Sequence, residues 1–154
     1  MPPALRQILD NFDTFVVDSV PKAAAFIGTT GPTLKQRIDR GLGAAEVVPV
    51  TERARVRFTP RALLQNLIYD RTARFGVPLA QDQIWRAVEE IRASMREGRL
   101  NGLYLVVYDL GADRVWFLCD RDEVAKHLDD DIAVIALGAH AGRLASLLYK
   151  RCCD

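Results

Sequence analysis

The segment from Ser19 to Gly41 constrains the fold most, because it carries the end signals of two short helices separated by a brief turn. In Ser19-Val20-Pro21-Lys22-Ala23-Ala24-Ala25-Phe26-Ile27-Gly28 a serine stands where a helix N-cap is wanted and a proline follows in the first turn, where a missing N–H does little harm. A glycine suited to a left-handed exit closes the run. After a turn at Thr29 and Thr30, Pro32 opens a second helix, Leu34 and Ile38 form its i, i+4 apolar face, and Gly41 ends it. At about 100° per residue, the face opposite that apolar pair belongs to Gln36, with Thr33 and Arg40 beside it and Lys35 and Arg37 on the flanks.

Past the two helices the hydrophobic period changes. Val47-Val48-Pro49-Val50, a polar turn at Thr51-Glu52 and Arg53-Ala54-Arg55-Val56-Arg57-Phe58 read as a β-hairpin. Its second strand alternates strictly, which puts Ala54, Val56 and Phe58 on one face and the guanidiniums of Arg53, Arg55 and Arg57 on the other. Thr59-Pro60 then caps a helix with Leu63, Leu64, Leu67 and Ile68 inward, stopping near Gly76. A further helix, from about residue 80 to 97, places Ile84, Val88, Ile91 and Met95 in a narrow apolar seam of the kind that suits pairing between helices. Upstream, Leu5, Ile8, Leu9 and Phe12 mark a short amphipathic helix over 3–12.

Gly98 to Gly102 is the candidate boundary, since a helix ends there and a continuous apolar run begins. Beyond it, Leu103–Tyr108 and Val115–Cys119 read as strands joined by a turn around Gly111-Ala112-Asp113. Asp120 with Glu123 resembles a capping box for a helix reaching Leu128, Ile132–Leu137 reads as a third strand, and Ala141–Arg151 as a last helix. The expected class is α+β: an N-terminal helix over 1–18, a mostly helical winged helix-turn-helix with a β-hairpin wing over 19–98, and a small α+β unit over 100–154.

Charge points to the partner. The total is only +1, but between Ser19 and Phe75 ten Lys/Arg stand against four acids, an excess of +6, whereas Leu100 to Asp154 carries −3. A basic first half joined to an acidic second half is what a chain needs if only the first half meets a polyanion. An α-helix fits the major groove of double-stranded DNA, and the 31–40 helix, about 15 Å long, offers Gln for adenine, Arg for guanine and Thr for a phosphate or a thymine methyl. Lys35 on the flank suits phosphate. Asp39, at the edge of the same face, is left with two roles, orienting a neighbouring Arg or accepting from a cytosine amino group.

Residues 23–42, from Ala23-Ala24-Ala25-Phe26-Ile27-Gly28 through Pro32-Thr33-Leu34-Lys35-Gln36-Arg37-Ile38-Asp39-Arg40-Gly41-Leu42, resemble the opening of MerR-like and excisionase-like winged helix-turn-helix proteins. In that family a Gly-Leu pair leads into a wing and the wing into a helix pair, so the resemblance spans roughly residues 19–97. It implies base contacts from Thr33, Lys35, Gln36 and Arg37, phosphate contacts from Arg53, Arg55 and Arg57, and homodimers on palindromic sites. Where MerR regulators place an aromatic pair this chain has Gln36 and Arg37.

Other constellations point less far. Cys119, His127, His140, Cys152 and Cys153 are ligand types for zinc or copper, but no close Cys-x-x-Cys or His-x-x-x-His pair occurs, so neither metal nor cofactor is expected. Asp129-Asp130-Asp131 reads as a solvated turn. Tyr104, Tyr108, Trp116 and Phe117 could line a small-ligand pocket or form a core or dimer interface. With no nucleophile–base constellation and no phosphate-cradling glycine loop, the chain reads as a binding protein rather than an enzyme. Lacking a long apolar run or a signal-peptide pattern, it is expected in the cytoplasm, at the nucleoid. Three functions stay open: a transcription regulator, an architectural or excisionase-like accessory factor, and a protein-interaction adaptor that has lost DNA contact.

Overall fold

The computed structural model describes residues 1–50, 53–109, 113–127 and 132–153, with side chains described outside 47–55 and 151–154. The fold is α+β. Its elements run α1 (Pro3–Asp10), α2 (Val20–Ile27), α3 (Gly31–Asp39), β1 (Glu46–Val50), β2 (Arg53–Arg57), α4 (Pro60–Arg74), α5 (Gln81–Arg96), β3 (Tyr104–Asp109), β4 (Arg114–Cys119), α6 (Arg121–Ala125), β5 (Ile132–Ile135) and α7 (Leu137–Cys153). Two compact units are present. One comprises Pro2–Leu67 with Leu144–Asp154, the other Met1 with Ile68–Arg143, so the division falls inside α4 and α7, and Gly98–Gly102 lies within the second unit.

In the first unit the helix signals act as written. The Ser19 hydroxyl accepts from the Lys22 N–H, and Gly28 leaves α2 at φ 75°, a conformation that costs an L side chain about 1 kcal/mol or more. The α3 cap is Thr30, whose hydroxyl accepts from the Thr33 N–H at 3.3 Å. Leu34 is fully buried, as are Ala23 and Ala24 and Ile27 of α2, so the two helices share a core with Phe12, Val17, Phe58 and Leu63. β1 and β2 pair antiparallel, Glu46 opposite Arg57 and Val50 opposite Arg53. The predicted turn at Thr51-Glu52 lies outside the described residues.

The second unit holds an antiparallel sheet of order β4-β3-β5, with Leu105, Val106 and Val107 of the central strand fully buried. The apolar seam of α5 is used inside the chain: Ile84, Val88, Ile91 and Met95 are all buried. The Gln83 carboxamide accepts from the Ala80 N–H and donates to the Arg114 carbonyl, which fixes the start of α5 to β4. Several boundaries differ from expectation. α6 stops at Ala125 rather than reaching Leu128; Asp120 caps its start by accepting from the Glu123 N–H, while the Glu123 carboxylate takes the Lys126 ammonium at 2.6 Å and lies 3.5 Å from His127. β5 ends at Ile135 and α7 starts at Leu137, four residues early, since an unbroken apolar run has no period by which to mark its own end.

Among the described residues no helix is long and apolar enough to cross a membrane.

Candidate nucleic-acid interface

With Leu34 buried and Ile38 half-buried, α3 turns its other side outward. Lys35, Gln36 and Arg40 are exposed, and Thr33 and Arg37 are half-exposed. Thr33 stands in the first turn with its hydroxyl 2.8 Å from that of Thr30. The Asp39 carboxylate takes the Lys35 ammonium at 2.6 Å, one turn away on the same helix. Such an exposed i, i+4 pair contributes about 0.3–0.5 kcal/mol, too little to prevent Lys35 from exchanging a carboxylate for a phosphate.

The hairpin is held to the body by contacts that its own sequence does not announce. β2 runs on into Phe58, which pairs antiparallel with Val17 between α1 and α2. The Phe58 N–H donates to the Val17 carbonyl at 2.8 Å, and the Val16 and Val17 N–H groups donate back to the Phe58 carbonyl. On the α3 side, the segment that enters β1 is clasped by Asn66 of α4. This side chain is 2% exposed; its Oδ1 accepts from the Ala44 N–H at 3.1 Å, and its Nδ2 donates to the carbonyls of Ala44 and Ala62 at 2.6 and 2.8 Å. Gly43 is needed beside it: a Cβ there would lie 2.8 Å from Ile38 Cγ1 and 3.1 Å from Asn66 Oδ1.

Of the three wing arginines, Arg57 has a described side chain. Arg57 is half-buried with its guanidinium 5.6 Å from the centroid of the Phe15 ring, so part of its cation is spent inside the unit. Arg53 and Arg55 stand on β2 opposite Val50 and Val48, and their side chains lie outside the described residues. Arg61, counted in the basic excess, is 14% exposed: its Nε donates to Asp13 at 2.6 Å and its guanidinium lies 5.0 Å from the Phe12 ring centroid. Arg71 and Arg74 belong to the second unit, where they flank the buried carboxylate of Asp70. Regrouped by compact unit, the first has eleven Lys/Arg against seven acids and the second ten against thirteen, so the charge is still segregated, at +4 and −3.

The other candidate residues scatter. The described residues contain no group of three or more His, Cys, Asp or Glu arranged to hold a metal ion. His140 is pushed below its ordinary pKa of 6.5 by burial and by Arg71, Arg143 and Arg74, which outweigh Asp70. Cys119 is half-exposed and its thiol is pushed up by burial, then by Glu123 and Asp120. His127 Nδ1 lies 2.6 Å from the Tyr108 hydroxyl, within a ring cluster that includes Phe117. Sequence reasoning passes over Thr30, Val17 and Asn66. Of the three only Thr30 has a local signal, a threonine three residues before the amide it caps.

No family model matches the chain, and no curated protein matches it.

Proposed function

We propose that the first unit binds double-stranded DNA as a winged helix-turn-helix and that the protein is a sequence-specific transcription regulator acting in the cytoplasm, at the nucleoid. The observation that carries this reading is the order of elements within one basic unit. α1, the single bridge residue Val17, α2, a tight turn, α3 and a hairpin that pairs back to Val17 succeed one another there. α3 supplies the outward polar side and the hairpin supplies arginines. In this reading Gln36, Arg37, Arg40 and Thr33 address base edges, while Lys35, Arg53, Arg55 and Arg57 address phosphates.

Two features favour DNA over a protein partner for this face. The clasp by Asn66 and the strand pairing at Phe58 fix the hairpin relative to α3, as a reader of a rigid duplex requires. The side chains on α3 are donors matched to nucleic acid, with no large apolar group exposed from Thr33 to Arg40.

A fluorescence-anisotropy titration on mixed-sequence duplexes tests the proposal. With four cations on phosphate, log K falls against log salt with a slope of about −3.6, and exchange of Arg55 for Gln reduces that slope by about 0.9. Charge reversal of Arg53 and Arg55 together abolishes binding while leaving the Phe15 contact of Arg57 in place. Absence of affinity for any duplex at low salt, or affinity indifferent to that reversal, overturns the proposal.

A further inference from the structure

Within the first unit a cavity of about 150 Å³ lies among α1, the stretch from Thr14 to Val16, the start of α4 and the C-terminal part of α7. Of its lining, Ile8, Pro60 and Leu148 are buried while Thr14 and Phe15 are exposed, so it has a closed floor and an open mouth. A single six-membered ring fills a space of this size. None of the ten lining residues carries a charge, in a chain of which 27% is charged, so an ion entering it would lose water and gain no counter-charge. Phe15 and Tyr149 add aromatic surface suited to a ring. A void left by packing alone is lined by apolar groups. Here the side chains of Gln7 and Thr14 have no hydrogen-bond partner among the described residues, and Asn11 donates to the Gln7 carbonyl at 2.9 Å while keeping its Oδ1. An uncharged molecule with one polar end therefore finds both apolar contact and a hydrogen bond.

We propose that this cavity binds a small neutral ring molecule bearing one hydroxyl or carbonyl, and that its occupancy steadies the hairpin. Two of the lining residues give the second half of the proposal. Phe15 is the ring beside which the Arg57 guanidinium of β2 lies, and the Val16 N–H donates to the Phe58 carbonyl at 3.0 Å, next to the pairing of Phe58 with Val17. Separating the hairpin from the Val16-Val17 stretch thus disturbs the cavity wall, so a molecule that needs the wall intact opposes that separation. A ligand bound to the closed form alone slows opening in proportion to its own occupancy. The site does not rest on DNA binding by the first unit, since both binding and steadying are measured without DNA.

Heteronuclear NMR titration of the full chain with phenol, to about 10 mM, tests the proposal. Saturable binding with a dissociation constant below about 1 mM is expected, with shifts centred on the amides of Ile8, Val16 and Leu148. Benzoate and benzylamine, which carry a charge on the same ring, are expected to bind at least about tenfold more weakly. Ala4→Leu puts a larger side chain into the space from a half-exposed helical position, and is expected to weaken phenol at least about tenfold with an unchanged circular dichroism spectrum. Gln7→Met together with Thr14→Val is expected to weaken phenol about tenfold and to leave toluene unchanged. With phenol at about ten times its dissociation constant, exchange of the Phe58 N–H is expected to slow about tenfold. The proposal is overturned by an absence of binding at about 10 mM, or by binding that maps instead to the hollow beside Phe26 and Leu147. It is equally overturned by charged rings that bind as tightly as phenol, by phenol affinity that either folded variant leaves intact, or by Phe58 exchange indifferent to phenol. If Ala4→Leu fails to fold, the double variant decides alone.

Discussion

Replacing Asn66 by alanine removes, in one step, the bonds that tie the α3-to-hairpin segment to α4. The Ala44 N–H loses its acceptor, and the Ala44 and Ala62 carbonyls lose a donor. Ala62 lies within α4 and keeps its helical partner, so it adds little. Ala44 is the expensive residue, because both of its main-chain groups are served by the one side chain. A buried polar group left unpaired costs about 1–3 kcal/mol, and Ala44 is half-exposed, so water restores part of that. The expected loss is about 2 kcal/mol, which in a chain of this length lowers Tm by about 4–8 °C. Urea unfolding measures the total, and amide exchange locates it: the Ala44 N–H should lose protection far more than its neighbours in α3. Asn66→Asp is the informative companion. It keeps the acceptor for Ala44 N–H but sets a carboxylate against two carbonyls, so it should destabilise at least as much at neutral pH and recover in acid, where the protonated carboxyl can donate. A loss below about 0.5 kcal/mol, with the Ala44 amide still protected, would refute the reasoning.

Two further groups give pH and reactivity tests. His140 has a folded pKa below 6.5, so the unfolded chain binds the proton first. Its contribution is therefore complete above the unfolded pKa and is lost as pH falls from there through the folded value, and His140→Gln should flatten that part of the Tm-against-pH curve; an unchanged curve counts against it. The raised pKa of Cys119 keeps its thiol protonated near neutrality, so alkylation by iodoacetamide in the native protein should be much slower than in urea and should accelerate only at alkaline pH.

How much of the fold is legible in the sequence depends on whether a residue's partner is close along the chain. The ends of α2 and α3 are readable because a cap, a proline and a glycine act on amides a few positions away, and the same holds for Thr59 before α4. Phe58 is readable as buried from the period of two, but its pairing with Val17 is not, since a single bridge has no periodicity. Asn66 sits 22 residues from Ala44, and an asparagine in a helix gives no sign that its amide faces main chain rather than water. The seam of α5 is readable as apolar. What covers it is not, because periodicity gives a face and no partner.

The same distinction governs how much of the basic excess can reach DNA. Lys22 pairs with Asp18 and Lys35 with Asp39 on the open surface, with both partners of each pair more than half exposed. Pairs of that kind are worth about 0–1 kcal/mol, less in salt, so a phosphate can displace either carboxylate. Arg61 is different. Its side chain is 14% exposed, bonded to Asp13 and laid over Phe12, and withdrawing it would uncover an aromatic ring at the join of α1 and α4. Arg57 is intermediate: it is half-buried, with its guanidinium 5.6 Å from the Phe15 ring centroid. The regional charge counted along the chain thus overstates the number of cations available to a duplex. A salt slope much steeper than about −4 would mean either that Lys22 and Arg40 also reach phosphate or that two copies bind together, and halving the protein concentration separates those cases, because only the second is sensitive to it.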